Sequence, residues 1–175
     1  QPGTGGNIPA GEVFISPVVG KSNGIIVFDG SMTFSDGDSI LNNPIKVNVK
    51  DGYIDSVEGD VEAKRLLKDI NWAEKEALSM EANQTLPKGQ GEIYSKNARN
   101  IGELGIGLNP GACITGNMLE DEKAFHTCHF AVGENYDGDA PSLIHFDGIV
   151  KNPTIVLNYI DGKSKIILKD GELCL

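Results

Sequence analysis

The apolar runs of this chain are short, and almost every one ends on glycine, proline or an Asp-Gly pair. Short apolar runs bounded by turn residues build strands, so such a chain finds its core by packing sheets. Glu12-Val-Phe-Ile-Ser16 stops at Pro17, and Gly24-Ile-Ile-Val-Phe28 stops at Asp29-Gly30 and reads as a buried strand. Ile45-Lys-Val-Asn-Val49 alternates apolar with polar residues and is therefore half-buried. Lys50-Asp51-Gly52 turns that run into Tyr53-Ile-Asp-Ser-Val57, and Asp-Gly between two such runs is a strong hairpin signal. A glycine-rich strand follows over 100–107, and further strands over 143–150, 154–159, 163–168 and 172–175. The last two flank a second Lys-Asp-Gly turn at 169–171, with no similarity around the two turns to suggest a repeat.

One stretch breaks the rhythm. Between 60 and 83, Leu66, Ile70, Ala73 and Ala77 recur at spacings of three and four with Glu and Lys between them, which is an amphipathic helix. Asp60 is placed to cap it, Pro87 and Gly89 end it, and Trp72 is expected to pack. The expected fold class is α+β: a mixed, mainly antiparallel β core with scope for barrel-like closure, and one long helix at about 60–83.

Composition bounds the function. At 175 residues the chain fits one domain, and 39% apolar with 23% charged residues argues against wholesale disorder. A net charge of -10 disfavours a nucleic-acid partner, and no apolar run is long enough for a membrane helix. Cys113, Cys128 and Cys174 are odd in number and lack Cys-x-x-Cys spacing, which fits a reducing cytoplasm better than a disulfide scaffold. Residues 1–7, almost without side-chain volume, read as a linker or cleavage remnant, and 8–175 as a single metal-binding domain.

Chemistry concentrates in one window. All three histidines, His126, His129 and His145, lie within it, and it ends His145-Phe-Asp147. Strand alternation points His145 and Asp147 to one face and Phe146 to the other. His129 is followed by apolar residues, while Cys128 alternates away from it into the core. Two imidazoles and a carboxylate make a three-ligand metal set. His126 reads as a hydrogen-bonded or merely exposed histidine. Glu12 and Glu103 each stand beside a glycine in an apolar strand, where a buried carboxylate needs a partner or a cation. Tyr136 is either a turn phenol or an oxygen ligand. The Gly-x-x-Gly-x-Gly of 102–107 does not open a helix, so it is not a phosphate loop.

Several of these segments resemble one family. Asn7-Ile-Pro-Ala-Gly-Glu12-Val-Phe-Ile-Ser-Pro17, Gly102-Glu103-Leu-Gly-Ile-Gly, Leu119-Glu-Asp-Glu122-Lys, His129-Phe-Ala-Val-Gly133 and His145-Phe-Asp147 are similar, in order, to the C-terminal half of the thermophilic metallo-aminopeptidases of the aminopeptidase T and S type. The resemblance implies a cytoplasmic, homodimeric enzyme hydrolysing N-terminal peptide bonds of a peptide substrate. Two divalent ions of the zinc, cobalt or manganese type would be held by Glu12, Glu103, His129, Tyr136, His145 and Asp147. It also implies an N-terminal α/β domain, which this sequence does not contain, so that part of the wall and gate of such an active site would be missing and activity of the fragment by itself is left open. A further family glutamate before the His129 motif has Glu122 as its nearest counterpart.

Two other readings stand beside it. His129, His145 and Asp147 also form the two-histidine, one-carboxylate set that binds a single Fe(II), as in relatives resembling dihydroxypyridine dioxygenases. The presence of Glu12 and Glu103 favours the two-metal reading over that one. A non-catalytic β-rich interaction domain is the third.

Overall fold

A computed structural model of the protein describes residues 9–174, so the expected linker at 1–7 lies outside the described residues. In chain order the elements are β1 (Glu12–Ile15), β2 (Gly24–Phe28), β3 (Ser31–Met32), β4 (Ser39–Ile40), β5 (Ile45–Lys50), β6 (Tyr53–Glu58), α1 (Val61–Ala82), α2 (Gln90–Asn97), β7 (Ile101–Gly107), α3 (Met118–Asp121), β8 (Thr127–Gly133), β9 (His145–Lys151), β10 (Ile155–Asn158), β11 (Ser164–Lys169) and β12 (Glu172–Leu173). The expected strands and the long helix are all present. The class is α+β.

The strands form a six-stranded sheet, β1-β7-β8-β9-β3-β4, and two three-stranded sheets, β2-β5-β6 and β10-β11-β12. Every strand pairing is antiparallel, and among the described residues the parallel contribution is one isolated bridge between Asn109 and Ala124. Among the described residues there is no barrel-like closure. The large sheet stays open, with β1 and β4 at its edges.

Both Lys-Asp-Gly turns are hairpins for the expected reason. Asp51 and Gly52 have φ of 49° and 84°, and Asp170 and Gly171 have 51° and 83°. Positive φ at both central residues matches the twist of the flanking strands, and Gly supplies it without strain.

The core lies between the large sheet, the β2-β5-β6 sheet and α1. Phe28, Ile45 and Val47 come from the small sheet, Leu66 and Ile70 from α1, and Val132 and Phe146 from the large sheet. Leu66, Ile70, Ala73 and Ala77 are fully buried, so the periodicity was a true core stripe. Trp72 does not pack as expected. It is 50% exposed, on the outer face of α1 beside Lys68 and Lys75.

α2 has little apolar periodicity and a glycine at its second position, and its order comes from α1. The Glu81 carboxylate accepts the amide N–H groups of Gly89 (2.8 Å) and Gly91 (2.5 Å), capping the helix from outside. Those bonds lower the pKa of Glu81. A Cβ on Gly91 would fall 2.8 Å from the Glu81 side chain, so glycine is what lets the helices approach.

Leu66→Ala is expected to cost about 2–5 kcal/mol through its cavity, read from denaturant unfolding, with metal binding by the folded protein unchanged.

Candidate metal centre

Cross-strand partners in an antiparallel sheet share a face, and the register of the large sheet therefore defines one surface. Glu103, Ala131 and Asp147 form one row across β7, β8 and β9, and Gly105, His129 and Ile149 form the next. Glu12 pairs with Gly107, Phe14 with Gly105, and His145 with Gly133. Glu12, Glu103, His129, His145 and Asp147 thus stand on one face. Phe146, Val132 and Phe130 stand on the other and help form or pack against the core.

Small residues make room for them. A Cβ on Gly105 would lie 2.1 Å from Cε1 and Nε2 of His129, so the fully buried imidazole occupies the space that this glycine leaves. Ala131, between Glu103 and Asp147 in its row, has a side chain of a single carbon.

The donors converge. His129 Nε2 is 3.0 Å from Glu103 Oε1 and 3.6 Å from Glu12 Oε2. His145 Nε2 is 3.4 Å from Asp147 Oδ1 and 4.0 Å from Glu103 Oε2. Its Nδ1–H donates to the Glu134 carbonyl at 2.9 Å, which fixes the tautomer and turns Nε2 toward the acids. Glu103, His129 and Asp147 each offer a ligand atom within 4.8 Å of the others, and so do Glu12, Glu122 and His129. Among the described residues Asp147 Oδ1 makes no hydrogen bond beyond its 3.4 Å approach to His145 Nε2, and His129 Nδ1 is buried without a partner. A buried anionic oxygen left this way calls for a cation.

Charge follows geometry. The Asp147 carboxylate beside it pushes the pKa of His145 up to about 9, against desolvation and with help from the Glu134 carbonyl and Glu103. Burial works to raise Asp147, but His145, His129 and Lys123 together hold it below the usual carboxylate range. Burial pushes the Cys128 thiol up to about 12, in keeping with its place on the core side of the strand.

Tyr136, expected as a ligand, stands elsewhere, and His126, read as hydrogen-bonded or exposed, lies apart as well. Tyr136 is 78% exposed in the turn after β8, its ring edge-on to Phe14 at 5.5 Å, so it is not brought among the donors. His126 has a φ of 68° and its Nδ1–H donates to the Gly171 carbonyl at 3.2 Å, away from the cluster. One residue was missed. Lys123 is 1% exposed, its Nζ 3.1 Å from Glu12 Oε1 and in contact with Glu122. The signal was a Glu-Lys pair running straight into Ala124-Phe125, where a surface lysine would be out of place.

The profile of one family, described as NicX, 2,5-dihydroxypyridine 5,6-dioxygenase, matches residues 1–174. The chain belongs to the NicX family. The metallo-aminopeptidase expectation, and with it hydrolase activity on a peptide substrate, is overturned by this match. The motifs reflect a shared scaffold. The fold is similar to 2,5-dihydroxypyridine dioxygenase from Pseudomonas putida KT2440, at TM-score 0.64 and 19% identity over 92% of this chain and 42% of that one. It is also similar to wild-type AmpT from Thermus thermophilus, at TM-score 0.67 and 17% identity over 96% of this chain and 40% of that one. The chain thus spans about two fifths of the length of either structure. No curated protein matches it. Among the described residues, no helix is long and apolar enough to cross a membrane.

Two outcomes follow from this geometry. Gly105→Ala should push the His129 ring off its seat and weaken divalent-metal binding on the order of tenfold or more, measured by titration with the fold checked by circular dichroism. The raised pKa of His145 also sets a sign. Its ion pair with Asp147 stabilises the fold fully below about 6.5, and that contribution is lost as pH rises through about 9. Melting temperature in excess chelator should therefore drop between pH 6.5 and 9.5 more steeply for the wild type than for His145→Gln.

Proposed function

We propose that this chain is the iron-binding part of a dioxygenase that cleaves the ring of a dihydroxylated pyridine, with His129, His145 and Asp147 as the ligand set. The family match over residues 1–174 carries this reading. The donor chemistry supports it: two imidazole nitrogens and one carboxylate oxygen suit Fe(II) with positions left open for reactants. When bound, Fe(II) supplies the one-electron chemistry through which dioxygen attacks an aromatic ring.

The chain's own groups do the rest. Gly105 seats His129, and the Glu134 carbonyl holds His145 with Nε2 facing inward. Glu103 Oε1 faces His129 Nε2. Were His129 Nε2 to hold a metal it would carry no proton to donate, and Glu103 Oε1 would stand free to accept the proton of a ring hydroxyl. Phe14, opposite Gly105 in the register and packed edge-on with Tyr136, gives the same face an exposed aromatic flank suited to a flat substrate. In this reading Tyr136 serves the substrate side of the site.

Under anaerobic conditions the chain should take up one equivalent of Fe(II). On admitting oxygen, an oxygen electrode should register one O2 consumed per 2,5-dihydroxypyridine, since both oxygen atoms enter the opened ring. His129→Ala and Asp147→Asn should each cut uptake at least about 100-fold, beyond what losing an outer partner of a ligand costs. Folded, iron-loaded protein that consumes no oxygen with any dihydroxypyridine would sink the proposal.

A further inference from the structure

Glu12, Glu122 and His129 offer donor atoms mutually within 4.8 Å, a second set with the geometry of a metal site that shares His129 with the first. Left to themselves, these groups and the Glu103, His129 and Asp147 set would make a two-ion pocket. The structure fills the second position in another way. Lys123 is 1% exposed, and its ammonium lies 3.1 Å from Glu12 Oε1 and against Glu122. Glu12 turns its other oxygen to His129 Nε2 at 3.6 Å. An ammonium offers three donors and no open coordination position, so it neutralises carboxylates as a metal would but cannot coordinate a water or a substrate oxygen as a Lewis acid.

The backbone fixes it there. The Lys123 carbonyl accepts the Asn109 amide N–H at 2.9 Å, and the Lys123 amide N–H donates to the Glu120 carbonyl at 3.0 Å, so the side chain leaves from an anchored turn. Asp121 secures the same segment. Fully buried, it accepts Ser31 Oγ–H at 2.5 Å, the Thr115 amide at 2.7 Å and the Gly116 amide at 3.0 Å. A lysine placed by chance on a mobile loop would not be held in this way.

We propose that Lys123 is a built-in cation standing in for a second metal, so that the pocket binds one divalent ion where its acidic residues would otherwise bind two. Lys123 is a positioning residue here, acting through Glu12 and Glu122 on how many ions the site takes. The inference rests on the single-iron reading above, but it concerns metal count and is read without turnover.

Metal content after equilibration with excess Mn(II) and gel filtration, with electron paramagnetic resonance on the same samples, tests it. Wild-type protein should hold one Mn(II) with the spectrum of an isolated ion. Lys123→Met should hold two, with the broadened signal of a coupled pair, and Lys123→Arg should return to one. Should Lys123→Met fail to fold, Lys123→Gln, equally uncharged but able to hydrogen-bond, replaces it: two ions with a coupled signal support the proposal, and one isolated ion in folded protein refutes it. Two ions in the wild type, or one in folded Lys123→Met, would overturn it. Neither result bears on oxygen uptake by the iron-loaded wild type, so the two proposals fail separately.

Discussion

The site depends on side-chain volume left out of the middle of a sheet. His129 is fully buried, yet its ring points to the functional face of β8, because Gly105 on the neighbouring strand has no Cβ to collide with it. A sheet face is normally filled by β-branched and aromatic residues. Here Gly105 and Ala131 leave a hollow at its centre for the imidazoles and carboxylates, while the backbone of Ala124 and Ile144 closes over Gly107 and Gly133. The opposite face bears the structural load. Val132 and Phe146 lock the register from the core side, since a slip by one residue would bring Cys128 out and drive His129 into the hydrophobic interior.

Electrostatics follows from that hollow. It gathers Glu12, Glu103, Glu122 and Asp147 around Lys123 and two histidines, with most of these groups out of water. Desolvated like charges are tolerated only when paired. The protein pairs them asymmetrically: a fixed ammonium serves Glu12 and Glu122, while Asp147 faces an imidazole that must lose its proton before it can ligate. One half of the pocket is neutralised by the fold itself. In the other half the Asp147 oxygen has only the His145 imidazole facing it, which leaves room for the cation proposed above.

Much of this was legible in the sequence, for identifiable reasons. Strands and hairpins showed because their determinants are local: period-two alternation, Asp-Gly at the turns, and a helical stripe whose four named positions are all buried. Glu12 and Glu103 stood out because a lone acid beside a glycine in an apolar strand has no cheap local explanation. What stayed hidden depends on contacts between distant segments. α2 is capped by a carboxylate from α1, and Trp72 has a spacing that does not reveal which side of the helix lacks a neighbour. Tyr136 lies close to two ligands in sequence, but its turn carries the ring outward to Phe14. Lys123 was passed over because lysine is ordinarily a surface residue, and its partner Glu12 lies on a strand far away in the chain.

Tyr136 and Lys123 also explain how a motif comparison can lead to the wrong chemistry. Glycines, histidines and strand acids describe the hollow, and the hollow belongs to the scaffold, which this chain shares with AmpT and with the Pseudomonas dioxygenase at 17% and 19% identity. A shared scaffold fixes where donors can stand. Reaction type is set by what else is present: how many of the acids the protein neutralises with its own cations, and what flanks the open side. On the inference drawn above, a second ion would need Glu12 and Glu122 free to ligate, and in this chain an anchored ammonium engages both. On the dioxygenase reading proposed above, Phe14 and Tyr136 would give a flat aromatic substrate an apolar flank.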